Sequence, residues 1–312
     1  ETAQAAAFGT TAMGDVAVLM FTLPDLVAGI FITGALSYVL LPAWAGQANA
    51  QVSMLQRRVA GYLIALAAMI VVAIVLLQNP LTQWLAPGAV RAGAPAAQAL
   101  AWSAVAVPPA LLAALWATRL QHERDFLGVY GANLAVNLVL VVALFLIAGY
   151  AGNTPARGLF DSNPAVFLGA VLLLAAGLRL LWLGWRLPTV HQMPGTADAR
   201  LPQPSIWLWA ALSAGLPLAL VLVARSAASG AGEGALASFN YAWKLIELPL
   251  VLAIQLVASV ALPAIAQAQG AARSAAAATA LVLASALACA ALVALLGFAD
   301  TLAQLLYGYG RM

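Results

Sequence analysis

Apolar residues run along this chain in long unbroken blocks, and polar positions are confined to short gaps between them. No block alternates with the period of two that a half-buried strand or a membrane barrel needs, so each reads as a helix. A hydrocarbon core roughly 30 Å thick takes about 20 apolar helical residues to cross. Eight stretches meet that length, at about 15–44, 59–78, 96–118, 126–150, 164–186, 206–224, 235–266 and 275–297, and residues 1–9 read as the tail of an earlier helix. The expected fold class is an all-α polytopic membrane protein, because in lipid a spanning helix satisfies its own backbone.

Composition fixes the solvent. Only 7% of the residues are Asp, Glu, Lys or Arg, against about 25% in soluble domains, too few to cover a water-facing surface. The formal charge of +3, from 13 basic and 10 acidic side chains, is too sparse for a nucleic-acid partner. The single cysteine, Cys289, lies in an Ala-rich run and reads as a small buried packing residue, with no disulfide framework or thiolate metal site possible within the chain. The chain opens at Glu1 without the Met and basic region of a secretory leader and stops at Met312 just after an apolar helix, so both ends are expected to be cut.

Basic residues in short loops set the orientation. Arg57, Arg58, Arg119, Arg124, Arg186, Arg200 and Arg273 fall on one side, which is expected to be cytoplasmic; fewer, Arg91, Arg157, Arg225 and Arg311, fall on the other. Trp84, Trp102, Trp116, Trp182, Trp185, Trp207 and Trp209 sit near predicted helix ends, as an interfacial aromatic belt requires. The longest loop, 187–205, is Pro-rich and polar and reads as a linker between two bundles.

The two sides of that linker resemble each other at a fixed offset of 221 residues. Leu41-Pro42-Ala43 falls on Leu262-Pro263-Ala264, Leu81 to Leu85 on Leu302 to Leu306, and Gly9 on Gly230. Six helices separate the matched elements, so both copies cross in the same direction, a parallel repeat of six-helix lobes. The expected organisation is an N-terminal lobe over 1–186 (tail of helix one plus helices two to six), a cytoplasmic linker over 187–205, and a partial C-terminal lobe over 206–312 (helices seven to nine).

Three charges fall well inside predicted spans: Asp25, Lys244 and Glu247. A charge at a helix centre costs about 2.5–3.5 kcal/mol on insertion scales, so such groups normally face a bundle interior or a watery cavity. Asp25 lies ten residues past Asp15, or roughly 15 Å along the axis, near the midplane. The offset puts Lys244 level with Leu23 and Glu247 level with Leu26, so all three charges share one depth. They read as a polar site between the lobes for substrate or coupling ions. The blander reading is a self-neutralising Lys244–Glu247 pair with Asp25 capping a break near Pro24. Pro24, Pro108, Pro109, Pro217 and Pro249 interrupt spans. Asn133, Asn137, Arg179, Asn240 and Gln255 are further polar candidates, each also readable as helix–helix glue.

Catalytic and metal signatures are not found. His122 and His191 lie in predicted loops outside any metal-ligand spacing, and Gly230 to Gly234 follows no strand and so is no phosphate cradle. A transporter without enzymatic chemistry, cofactor or metal is expected.

Several stretches resemble the MviN/MurJ family of lipid II flippases, within the multidrug/oligosaccharidyl-lipid/polysaccharide exporter superfamily. Phe8-Gly9 and Asp15, then Leu23-Pro24-Asp25-Leu26, Gly34-Ala35-Leu36-Ser37 and Leu41-Pro42 are similar to its helix-two signature. Tyr241-Ala242-Trp243-Lys244-Leu245-Ile246-Glu247-Leu248-Pro249, running on to Leu262-Pro263, is similar to its helix-eight signature, and Leu305-Leu306-Tyr307-Gly308-Tyr309-Gly310 to the segment after its ninth helix. The resemblance implies two six-helix lobes in a V around a cavity, with alternating access. It implies an undecaprenyl-diphosphate-linked saccharide as cargo, lipid II or an exopolysaccharide precursor, carried across the bacterial inner membrane by a multi-pass protein. Other readings are an ion-coupled multidrug or cation exporter of the same superfamily and a non-transporting scaffold.

The resemblance places Lys244 where the family usually has a cavity arginine; Ala28 and Gly29 stand where it usually has arginines, and Thr33 where it has an acid. Asp25, Lys244 and Glu247 together carry a net negative charge, so a diphosphate pocket needs Arg179 or Arg225 to join it. The expected substrate-binding set is therefore Lys244, Asp25, Glu247, Asn240, Arg179 and Arg225. Membrane lipids are expected partners, and the coupling ion is open.

Overall fold

The computed structural model describes residues 2–31, 35–150, 163–188, 201–247, 249, 257 and 269–307. Among these, every regular element is helical: α1 Thr2–Phe8, α2 Ala12–Ile30, α3 Leu36–Trp44, α4 Asn49–Leu76, α5 Gln78–Leu85, α6 Pro87–Arg91, α7 Ala96–His122, α8 Phe126–Tyr150, α9 Pro164–Arg186, α10 Pro204–Ser229, α11 at 235–247 and α12 Gly270–Tyr307. Six of them are long and apolar enough to cross a bilayer, and the chain is a multi-pass membrane protein.

α7 is the hub, packed by α2, α4 and α9, while α8 packs on α9 and α1. Its burial follows from its composition: Ala99, Ala104, Ala106, Ala113, Ala114 and Ala117 are all but fully covered, letting neighbouring backbones approach closely. Glycine does the same at Gly169 of α9, where a Cβ would overlap the indole of Trp102. Trp102 is therefore a packing residue, as are Trp116 against Gly184 and Trp182, whose Nε1 donates to the Gly128 carbonyl at 3.0 Å. Trp84, Trp185 and Trp209 remain exposed near helix ends.

The helices depart from the expected spans where polar residues extend them. α4 begins at Asn49 rather than near 59, carrying Arg57 and Arg58 on its exposed first turns. α12 runs from Gly270 to Tyr307 as one long helix, which includes Leu302 to Leu306, whereas the matching Leu81 to Leu85 forms the separate short α5. Helices continue through Pro24, Pro108, Pro109 and Pro217. Just before the first of these, the Thr22 hydroxyl donates back to the Val18 carbonyl at 2.7 Å. Asp25 consequently caps no break at Pro24; α2 ends later, at Ile30. Cys289, expected to be buried, is exposed, because α12 has no helix packed along that face among the described residues. Arg157, His191, Arg200, Gln255, Arg311 and the matched Leu262-Pro263-Ala264 lie outside the described residues, as do Thr33 and Gly308 to Gly310.

Candidate functional site

α2, α9, α10 and α11 carry the polar side chains of the middle of the bundle. On α10, Arg225 is not in the outer loop expected for it; it lies one turn inside the helix end, half-buried, because α10 continues to Ser229. Its Nη2 donates to Asn240 Oδ1 of α11 at 2.6 Å and its Nη1 reaches Thr22 Oγ1 of α2 at 3.5 Å. Both partners are neutral, so the guanidinium charge is not cancelled by them, and its Nε is buried without a hydrogen bond. Arg179 of α9 lies within electrostatic reach of Asp25 on α2, and its Nε is likewise buried without a hydrogen bond. Asp25 itself is exposed.

Lys244 and Glu247 form an i,i+3 ion pair at 2.7 Å, each side chain 36% exposed. That spacing puts them on one helical face, with Asn240 a turn earlier. Lys244 also borders a cavity of about 460 Å³ between α11 and α12, lined otherwise by Leu245, Pro249, Ala294, Phe298 and neighbouring apolar residues. The described contacts thus join Arg225 with Asn240, Arg179 with Asp25, and Lys244 with Glu247, and bring in Thr22. Thr22 is absent from the set expected from sequence; one turn before Asp25 on the same face, it could have been found by spacing. Asn133 and Asn137 are exposed on α8, away from this group.

At the end of these helices that carries Asp15, the chain is closely tied. Asp15, fully buried, accepts from the backbone N–H of Gly234 at 2.9 Å and of Ala237 at 2.7 Å, at the start of α11. Glu233 in turn accepts from the Ala12 N–H at the start of α2, at 3.2 Å and a separation of 221 residues, the offset of the sequence repeat. Each carboxylate meets the positive end of the other's helix. Gly234, at φ +75°, lets α11 come so close that a Cβ would overlap the Thr10 carbonyl. Tyr241 donates to Gly9 O at 3.2 Å, and Tyr307 to Tyr241 O at 3.1 Å.

At the opposite end, Leu201 and Trp207 pack against the core of α3, α4 and α7, and the polar ties lie within the helices before 187–205. Arg119 is buried and ion-paired to Glu123 at 2.7 Å, with its guanidinium 6.0 Å from the Trp44 ring. His122 sits edge-on to Trp44. Asp125 takes two bonds from Arg186, at 2.6 and 3.0 Å. That pairing, helped by the Gly128 N–H, holds the Asp125 carboxyl below the usual carboxylate range.

The chain matches the family model described as lipid II flippase MurJ over residues 4–312. A curated relative from Rhizobium tropici, named a probable lipid II flippase MurJ, is 28% identical over 261 residues, which cover 80% of this chain and 48% of the relative. The chain spans about half the length of that relative.

Proposed function

The chain belongs to the lipid II flippase MurJ family, and on that premise we propose that it forms the N-terminal lobe and part of the C-terminal lobe of an inner-membrane flippase for a polyprenyl-diphosphate-linked saccharide. The lobes are those expected from the repeat, 1–186 and 206–312, joined by 187–205. The observation that carries the reading is Arg225, a half-buried guanidinium whose hydrogen-bond partners among the described residues are neutral groups from two helices. With Arg179, it supplies cations that the helix-two positions Ala28 and Gly29 do not.

A diphosphate is an array of acceptor oxygens with several negative charges, and a guanidinium meets it with paired donors. Arg225 binds the diphosphate by exchanging the Asn240 amide oxygen for phosphate oxygens, and Asn240 then offers its amide N–H to the same group. Arg179 turns from Asp25 to the ligand in the same way. Lys244 is already neutralised by Glu247 and contributes as a point charge once that pair opens. Asp25, Lys244, Glu247, Arg179 and Arg225 sum to a positive site, opposite in sign to the first three alone. The closed outer end, made by Asp15 and Glu233, supports a state that receives cargo from the cytoplasmic side. Alternating access then requires those bonds to part while the saccharide passes between the lobes.

The test uses the full-length protein in vesicles with a fluorescent polyprenyl-diphosphate saccharide. Arg225→Gln and Arg179→Gln are each expected to slow flipping by about tenfold or more, the loss of a hydrogen bond to a charged group, with insertion unchanged. Arg225→Lys retains part of the rate. Unaltered flipping in both glutamine variants would sink the site assignment.

A further inference from the structure

The loop between α4 and α7 is not slack. It folds into α5 and α6, and this strap crosses to the far end of α10. The Gly88 N–H donates to Ser229 Oγ at 3.2 Å, and Ser229 is fully buried there. Arg91 Nη2 donates to the Gly230 carbonyl at 3.3 Å, placing a cation on the negative end of α10, where carbonyls lack helical partners. Ser226 Oγ donates to the Trp84 carbonyl. At Gly88 the two backbones touch: a Cβ would overlap the carbonyl oxygens of Gly232 and Ser229. Gly88 is therefore required for close approach.

We propose that this strap is a second outer clasp, with Gly88 and Arg91 as positioning residues that seat α5–α6 on the end of α10 in the outward-closed state and release it when the outer side opens. The inference rests on the alternating-access reading above. It is separate from the Asp15–Glu233 contact, because it joins different helices through different residues. The chemistry of the seat suits a contact made and broken repeatedly. Its bonds run between backbone groups, a guanidinium and serine hydroxyls, all of which water can satisfy after release, so opening leaves no buried donor or acceptor stranded. The strap belongs to the N-terminal lobe and α10 to the C-terminal lobe, so parting the lobes on the outer side must break the seat.

The experiment reads outer opening directly, whatever the cargo. In the full-length protein with Cys289→Ala, a reporter thiol is placed by Ala237→Cys, buried at the α2–α11 contact. A membrane-impermeant maleimide is applied from outside. Gly88→Val and Arg91→Gln are expected to raise the labelling rate severalfold, and Gln83→Val, on the exposed face of the strap, to leave it unchanged. If Gly88→Val fails to insert, Ser229→Ala with Arg91→Gln removes two of the bonds without adding bulk and carries the same expectation. Asp15→Ala separates the two claims. Labelling that rises with Asp15→Ala but not with the strap variants overturns the clasp alone. Labelling that rises with none of them overturns the alternating-access reading beneath it.

Discussion

Arg119 shows how a single residue's role is set by what covers it. Counting basic residues predicts a cytoplasmic loop for it, but α7 runs on to His122 and carries it into the packing between α7 and Trp44 of α3. At 1% exposure its charge is balanced by Glu123 and by the face of an indole. A buried ion pair is often no more stabilising than apolar groups of the same shape, while removing one partner strands the other. Because Glu123, at 30% exposure, can be hydrated once Arg119 is gone, Arg119→Met should change stability little or raise it. Glu123→Gln should cost about 1–3 kcal/mol, reduced because Glu123 is partly exposed. Thermal unfolding of both variants in detergent checks the asymmetry; equal losses would contradict it. The six residues proposed for the site stand out in the sequence because ionic and amide groups are conspicuous in apolar runs. Thr22 is marked only by its i,i+3 spacing to Asp25, and the pairing of Arg225 with Asn240 across helices is marked by nothing local.

Among elements, α8 and α9 are tied where α7 hands over to α8. Asp125 lies in that connection and binds Arg186 at the end of α9. Because the native carboxyl titrates below its ordinary value, the tie is fully present above the unfolded pKa of about 3.9 and is lost as pH falls through the lower native value. Asp125→Asn should then melt slightly below the parent at neutral pH, with the gap constant down to about pH 5 and closing under stronger acid. A gap that widens on acidification would reverse the sign. The short α5 and α6 read as loop in the sequence, because their few polar turns lack the length of a span. Their order comes from the end of α10, an element more than a hundred residues away in the chain.

For the whole molecule, the closure at Asp15 and Glu233 joins the start of α2 to the start of α11, through a bond spanning 221 residues. Asp15 and Glu233 each accept from the start of the other's helix. Charge-assisted bonds of this kind contribute about 1.5–3 kcal/mol each. Asp15→Asn should weaken the closure and speed hydrogen exchange at the Gly234 and Ala237 amides, which mass spectrometry or NMR would read. Unchanged protection there would show that packing alone holds the end shut. The sequence by itself determined the membrane environment, the long helices and the 221-residue offset, because each depends on local apolar length and on register within one helix. Only the tertiary structure decided which charges pair and where the starts of α2 and α11 meet. Those depend on side chains reaching between helices, and the lipid-driven pattern that makes each helix is the same on faces that touch and faces that do not.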